Sequence, residues 1–573
     1  MQWVRKGAGA VLLIWAIIAW SLPPASHTAR VLGFLTRRQQ AFAASARQLE
    51  QSVAALDGRY PKTLHQARED LAACRVQYKQ LAFFLEYFFS SEAYVFNSPA
   101  KYEIEEPFME YEQPVGLQQL EALLYDDSAC VRKPAMVEEA QVIASSARDI
   151  PGLFYHFTAT DAQILESTRL ELVRIMSLYI SGYDAPMAKS GLREAIAALQ
   201  ALDSVYTMFD ADSAEAGITR NIHYLQQDTS FDHFNRLTFL ADYAIPLQRQ
   251  LRTFAATQQL ELNTAVTLNP AADNLFSADA FSMKAFPGGS NTDTMLVKQG
   301  RSLFFNKALS GHNDRSCATC HQPDRYFTDG LERNTALNGG KLPRNTPTLL
   351  YSCFQYSQFW DGRVKSLEEQ VLAVMHNPDE MNACDDSVLH RLRLDSMGTV
   401  TRALAAYIRT LRPFSAAFDT YLQGDKKAMT PLQQHGFNIF MGKAQCGTCH
   451  FAPVFNGLTP PLYNRTEFEV LAAPLTENLV KRSADTDLGR YDFFRIDFYK
   501  GAFKTPTVRN AAVTGPYLHH GAFHSLEQVV EFYDRGGMHA SNQTLAATPL
   551  QLSANEKKAL VAFMQALTDK PSY

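Results

Sequence analysis

The sequence predicts a mainly α-helical fold: a helical N-terminal domain followed by two cytochrome-c-like haem domains. Three observations carry that prediction. From about residue 30 to 262, glycine and proline are scarce and apolar residues recur at helical spacing. The pattern Cys-x-x-Cys-His then occurs twice, as Cys317, Cys320 and His321 and as Cys446, Cys449 and His450, each behind a helical stretch ("MLVKQGRSLFF", "PLQQHGFNIFMG"). About 129 residues separate the two copies, enough for one cytochrome-sized unit per motif.

Residues 1–29 come first. Arg5 and Lys6 precede sixteen uncharged, mostly apolar residues from Gly7 to Leu22, the layout of a secretory signal or, if uncleaved, of an N-terminal membrane anchor. Either form exports the remainder, so the periplasm is the expected compartment. In the helical domain at 30–262, Phe34/Leu35, Phe42, Leu49 and Leu56 keep a seven-residue step, and Leu172, Ile175/Met176 and Tyr179 mark a second apolar face. Residues 263–293 carry Asn, Pro and Gly-Gly with little periodicity and read as a linker. Residues 294–425 and 426–573 are then the first and second haem domains. A net charge of −5 gives no reason to propose a nucleic-acid partner. Four cysteines lie outside the motifs, and in an oxidising compartment Cys74 with Cys130 and Cys353 with Cys384 are the simplest disulfide pairings, free thiols being the alternative.

Both Cys-x-x-Cys-His motifs are c-type haem attachment sites. Two thiols separated by two residues can form thioethers to the two vinyl groups of one haem, and the adjacent histidine is then held beneath the iron as its axial ligand. Zinc, the alternative for a CxxC pair, would lack half of its ligand set at each site. A tandem di-haem chain could be a plain electron carrier. An enzyme would add an open iron, an acid or base above it and a route between the haems.

Four stretches supply such features: "LFFNKALSGHNDRSCATCHQPDRYFTDG", "RNTPTLLYSCFQYSQFWDGRVKSLEEQVLAVMHNPDEM", "FMGKAQCGTCHFAPVFNG" and "FKTPTVRNAAVTGPYLHHGAFHSLEQVVEFYDRGG". In this order, over about residues 295–570, they resemble the bacterial di-haem cytochrome c peroxidases and MauG-type enzymes. The resemblance implies two covalently bound haem c groups, with the His321 haem peroxidatic and the His450 haem transferring electrons. It places Glu380 of "NPDEM" at the distal acid/base with Gln370 of "LEEQ" beside it, and Trp360 of "FWDGR" between the haems. It also implies one calcium ion, held by Asn345 and the carbonyls of Thr514 and Pro516, all oxygen donors as a hard cation requires.

Two departures separate this chain from the peroxidases that must first be reduced. Their resting form closes the first iron with a histidine from the loop before "RNTPT". Here no histidine occurs between His321 and His376, so the first iron is expected to stay open; His376 is the one nearby substitute. The second departure is the ligand opposite His450. Reductively activated members carry methionine there and MauG-type members tyrosine. Counting from Thr514, the equivalent residue is Tyr533, with Met538 five positions later and His519 and His520 as further alternatives. A thioether favours ferrous iron, whereas a phenolate stabilises ferric and higher states.

In the N-terminal half, "EPFMEYEQPVGLQQLEALLY" faintly resembles the imelysin-like helical domains and their GxHxxE signature. Gly116 and Glu121 match, but Gln118 stands where the histidine belongs, which puts metal binding there in doubt. The function expected is reduction of hydrogen peroxide with electrons from a small c-type cytochrome or cupredoxin. The alternatives are MauG-like oxidation of a protein substrate and a non-enzymatic electron carrier.

Overall fold

The computed structural model describes residues 26–105, 110–290, 293–479, 485–538, 543–544 and 548–571. The basic and apolar leader from Arg5 to Leu22 lies outside the described residues. Among the described residues no helix is long and apolar enough to cross a membrane.

The glycine-poor first half is a packed set of helices. His27–Ala54 lies against Pro61–Phe88 and Lys133–Asp149, and Pro61–Phe88 also meets Gly191–Met208. Local chemistry starts them. Ser26 accepts the Ala29 N–H, Pro61 occupies a first-turn position where its missing N–H costs nothing, and Thr160 with Gln163 forms a capping box before Asp161–Arg174. The seven-residue step is a core stripe: Phe34, Leu35, Phe42, Leu49 and Leu56 are all buried. The 263–293 segment has no long helix, yet it is packed, with Phe276 edge-on to Phe418 and Phe281 against Phe354.

The second half repeats one device. Helix Thr294–Phe304 crosses Met397–Ile408, and Pro431–Met441 crosses Ala554–Ala566. Each crossing is closed by a glycine. A Cβ on Gly300 would lie 1.8 Å from the Ala403 carbonyl oxygen, and one on Gly436 would lie 1.9 Å from that of Ala559. Only a residue without a side chain allows those backbones to approach so closely. A ring cluster of Phe418, Phe437, Phe440, Phe455 and Phe563 fills the space behind the second crossing. The strands are two short antiparallel ribbons, Glu103–Glu105 with Glu110–Glu112 and Phe468–Val470 with Ala502–Lys504.

The two halves are joined directly. Asn438 accepts the Leu237 N–H at 2.9 Å, Gln445 donates to the Pro186 carbonyl at 2.7 Å, and Lys101 pairs with Glu467 and Glu469. The expected disulfides are not formed. In each expected pair one thiol is buried (Cys74, Cys353) and the other is exposed (Cys130, Cys384), and all four are free.

Candidate haem sites and the route between them

The two attachment motifs are built alike. Cys317–Cys320 forms one helical turn behind Ser316, and Cys446–Thr448 forms a tight turn behind Gln445. In each the histidine follows immediately. His321 Nδ1 faces the Phe327 carbonyl at 3.0 Å, and His450 Nδ1 faces those of Pro506 at 3.0 Å and Phe455 at 3.3 Å. A carbonyl can only accept, so Nδ1 carries the proton and Nε2 is left with its lone pair, the arrangement of a metal-ligating imidazole. Burial holds both rings neutral, pulling the His450 pKa down to about 4. All four thiols are free of disulfides. Among the described residues the only cluster of three metal-ligating His, Cys, Asp or Glu side chains is Asp485, His519 and His520, so neither CxxC pair sits in a zinc-like ligand set. These residues fit haem c.

Around the first motif the structure gathers an acid and two cations. Glu380 sits in the turn after helix Leu367–His376, its N–H bonded to the Asn377 carbonyl at 3.1 Å. Burial raises the Glu380 pKa above the ordinary carboxylate range, while the guanidiniums of Arg363 and Arg315 oppose the shift. Its partner charge is felt at the attachment site: burial, then Asp329 and Glu380, push the Cys320 thiol up to about 11. Glu380 thus acts electrostatically on the first attachment motif. Gln370 lies half-buried on the same helix, whose start is fixed by the Ser366–Glu369 capping box. His376, the nearby substitute ligand, is exposed and paired with Asp385 at 2.7 Å. Arg315 and Arg363 escaped the sequence reading. "FWDGR" contains Arg363, but nothing in the motif says that its charge, paired with Asp361 at 2.7 Å, also acts on Glu380.

Trp360 is half-buried and joins the segment around Asn345 to the strand Ala502–Lys504. Its Nε1–H donates to the Asn345 carbonyl at 3.0 Å, and its own carbonyl accepts the Lys504 N–H at 2.7 Å. Its ring stands edge-on to His519 at 6.5 Å, and His519 stacks on Phe503 at 3.7 Å. Burial pulls the Lys504 ammonium down to about 7.

At the second site Tyr533 lies on helix Leu526–Asp534, started by the Ser525–Gln528 capping box. Burial, then the Cys449 and Cys446 thiols and Glu469, push its phenol well up, which places the ring beside the second attachment motif. Among the described residues no protein group hydrogen-bonds its hydroxyl. The rival ligands are engaged elsewhere: His519 Nε2 pairs with Asp485 at 2.6 Å and His520 Nε2 with the Pro474 carbonyl at 2.9 Å. Met538 is half-buried in the turn beyond the helix.

Asn345 is buried, its N–H bonded to the His519 carbonyl at 2.7 Å and its amide donating to the Leu331 carbonyl at 2.9 Å. That leaves its side-chain oxygen as the acceptor end. Among the described residues the Thr514 and Pro516 carbonyls receive no hydrogen bond, so they remain oxygen donors. In the N-terminal half, Gln118 donates to Asp184 at 3.1 Å, and Glu121 accepts the Met187 and Ala188 N–H groups. Arg75 and Lys79 already neutralise the carboxylates of Glu194 and Asp184.

The family model for di-haem cytochrome c peroxidase matches residues 294–427. The cytochrome-c peroxidase IdrP2 of Denitromonas iodatirespirans is 33% identical over 322 residues, covering 50% of this chain and 86% of the relative. The methylamine utilization protein MauG of Methylorubrum extorquens is 34% identical over 295 residues, covering 48% and 79%. Among solved structures, a MauG-like protein associated with microbial copper homeostasis aligns with a TM-score of 0.44 at 27% identity, over 49% of this chain and 91% of that one.

Proposed function

The chain belongs to the di-haem cytochrome c peroxidase family and is an oxidoreductase that uses peroxide as its acceptor, and from that premise we propose a division of labour among its residues. Cys317, Cys320 and His321 hold the peroxide-reacting haem c; Cys446, Cys449, His450 and Tyr533 hold the electron-transferring one. A haem c held by Cys317, Cys320 and His321 would supply the redox chemistry for O–O cleavage.

The chain's own groups move the protons. Glu380 takes a proton from one peroxide oxygen and returns it to the other, so that the second oxygen leaves as water. Burial raises the Glu380 pKa, which favours the protonated form that the second half of the transfer needs. Gln370 orients the bound peroxide as a neutral hydrogen-bonding neighbour, and the charges of Arg363 and Arg315 favour the ionised form of the Glu380 carboxyl. Trp360 carries oxidising equivalents between the two sites. The two electrons come from a reduced small c-type cytochrome or cupredoxin. Asn345 and the carbonyls of Thr514 and Pro516 would hold a calcium ion as oxygen donors. We place the catalytic part in the periplasm, as two haem units at 294–425 and 426–573.

The single observation that carries this reading is the partly buried carboxyl of Glu380 beside the first attachment motif. A second reading, oxidation of a partner protein in the manner of a MauG-type enzyme, is favoured by Tyr533 at the second site. The test is a peroxide titration of the fully oxidised protein, followed by optical and spin-resonance spectroscopy. Peroxide should change the spectrum without prior reduction, and Glu380→Gln should slow that change about 100-fold or more. A spectrum that responds only after one haem is reduced would overturn the open first iron, and an unaltered rate in Glu380→Gln would remove the acid/base role. Turnover with a small reduced cytochrome separates the peroxidase from the protein-modifying reading.

A further inference from the structure

The N-terminal half reaches the second haem site with a charge. Lys101 follows helix Ser90–Asn97, and its ammonium lies 2.6 Å from Glu467 and 3.1 Å from Glu469. Neither carboxylate is free to face bulk water: Glu467 is buried and also accepts from Thr459 at 3.1 Å, and the Glu469 side chain is 12% exposed. Glu469 is itself part of the second site's surroundings. Its carboxylate is 3.8 Å from the Cys449 thiol, and its charge also acts on the Tyr533 phenol. The contact is anchored on both sides. Gln445, the residue before Cys446, donates to the Pro186 carbonyl, and the Tyr183 ring stands edge-on to Phe451, the residue after His450, at 5.5 Å.

We propose that Lys101 is a tuning residue: from the N-terminal half it compensates the Glu467 and Glu469 carboxylates beside Cys449 and Tyr533 and so raises the reduction potential of the iron held at His450. The inference rests on the assignment of the second haem to His450 and Tyr533. The physical argument is short. Two negative charges near an iron stabilise its ferric state, because that state carries one more positive charge than the ferrous one. An ammonium within 3.1 Å of both cancels much of that preference, and it does so in partly buried surroundings where water screens poorly. On this account the first 260 residues are an electrostatic cover for the second haem, and their removal or displacement changes how readily that haem accepts an electron.

Spectroelectrochemical titration of the full-length holo-protein tests this, reading the two haems separately by their spectra. Lys101→Met should shift the second couple to lower potential, by the equivalent of about a tenfold change in the ferric-to-ferrous ratio at fixed potential. The first couple should stay in place, and Lys101→Arg should keep both couples at the wild-type values. Glu469→Gln should shift the second couple the opposite way, and Lys101→Met/Glu469→Gln should return it towards wild type. An unmoved second couple in Lys101→Met overturns the proposal, as does a shift shared equally by both haems. If Lys101→Met does not fold, Glu469→Gln still decides, since no upward shift there overturns it. The wild-type spin-resonance spectrum reports independently whether Tyr533 ligates the second iron, so failure of that assignment is distinguishable from failure of the tuning.

Discussion

Tyr533 and Glu380 differ from neighbours of the same type by what surrounds them. Among the described residues Tyr533 has no protein hydrogen bond on its hydroxyl and feels the Cys449 and Cys446 thiols, whereas its rivals His519 and His520 are already hydrogen-bonded. A ligated phenol must lose its proton, and the iron's own charge supplies the drive that burial opposes. Tyr533→Phe should therefore remove the second iron's phenolate signature in optical and spin-resonance spectra while leaving the first haem's spectrum unchanged. For Glu380 the direction of the pKa shift gives a pH dependence. Its carboxyl is protonated up to a higher pH than a free glutamate, and the first half of the proton transfer needs the carboxylate. The rate of the peroxide response should fall as pH drops through an inflection above the usual glutamate range, and that inflection should vanish in Glu380→Gln.

The elements that hold these residues depend on close backbone contact. Helices Pro431–Met441 and Ala554–Ala566 meet at Gly436, where even one methyl group would strike the Ala559 carbonyl and the Phe563 side chain. Gly436→Val should separate the crossing that frames the second haem, costing on the order of 3 kcal/mol by overpacking. The check is a thermal melt together with the yield of protein carrying both haems: a lowered melting temperature with second-haem loss is expected, and wild-type values would contradict the close-packing account. The periodic stripes of the first half were legible at this scale because a helix repeats its buried face every three to four residues. The glycine contacts were not, since Gly300 and Gly436 read in sequence only as unremarkable interruptions of a helix.

At the scale of the whole molecule the question is how the two haem units communicate and what the first half does to them. Trp360 is hydrogen-bonded on one side to Asn345 and on the other to Lys504, and we propose it as the route between the two haem sites. Trp360→Phe removes the indole but keeps an aromatic ring. In stopped-flow with peroxide, the first haem's spectral change should persist and the second haem's change should lag at least tenfold. Simultaneous changes would show that the route bypasses the indole. The attachment motifs could be found in sequence because each is a short pattern of fixed spacing, whereas Glu380 of "NPDEM" and Tyr533 of "EFYDRGG" are proposals that rest on the family resemblance. The charges of Arg315 and Arg363 acting on Glu380, and Lys101 facing Glu469 across more than 360 positions, could not be found that way.

The sequence by itself determined the mainly helical fold, the two Cys-x-x-Cys-His motifs and the membership in the di-haem peroxidase family, because local periodicity and covalent attachment chemistry are written in consecutive residues. Tertiary structure decided which charges surround those motifs. It left Cys74, Cys130, Cys353 and Cys384 unpaired, since burial in separate environments, rather than count, governs whether thiols can meet. It turned His376 outward onto Asp385 and filled the Gln118–Glu121 region with Arg75 and Lys79. Those outcomes depend on distances between residues remote in the chain, and such distances are set only when the helices pack.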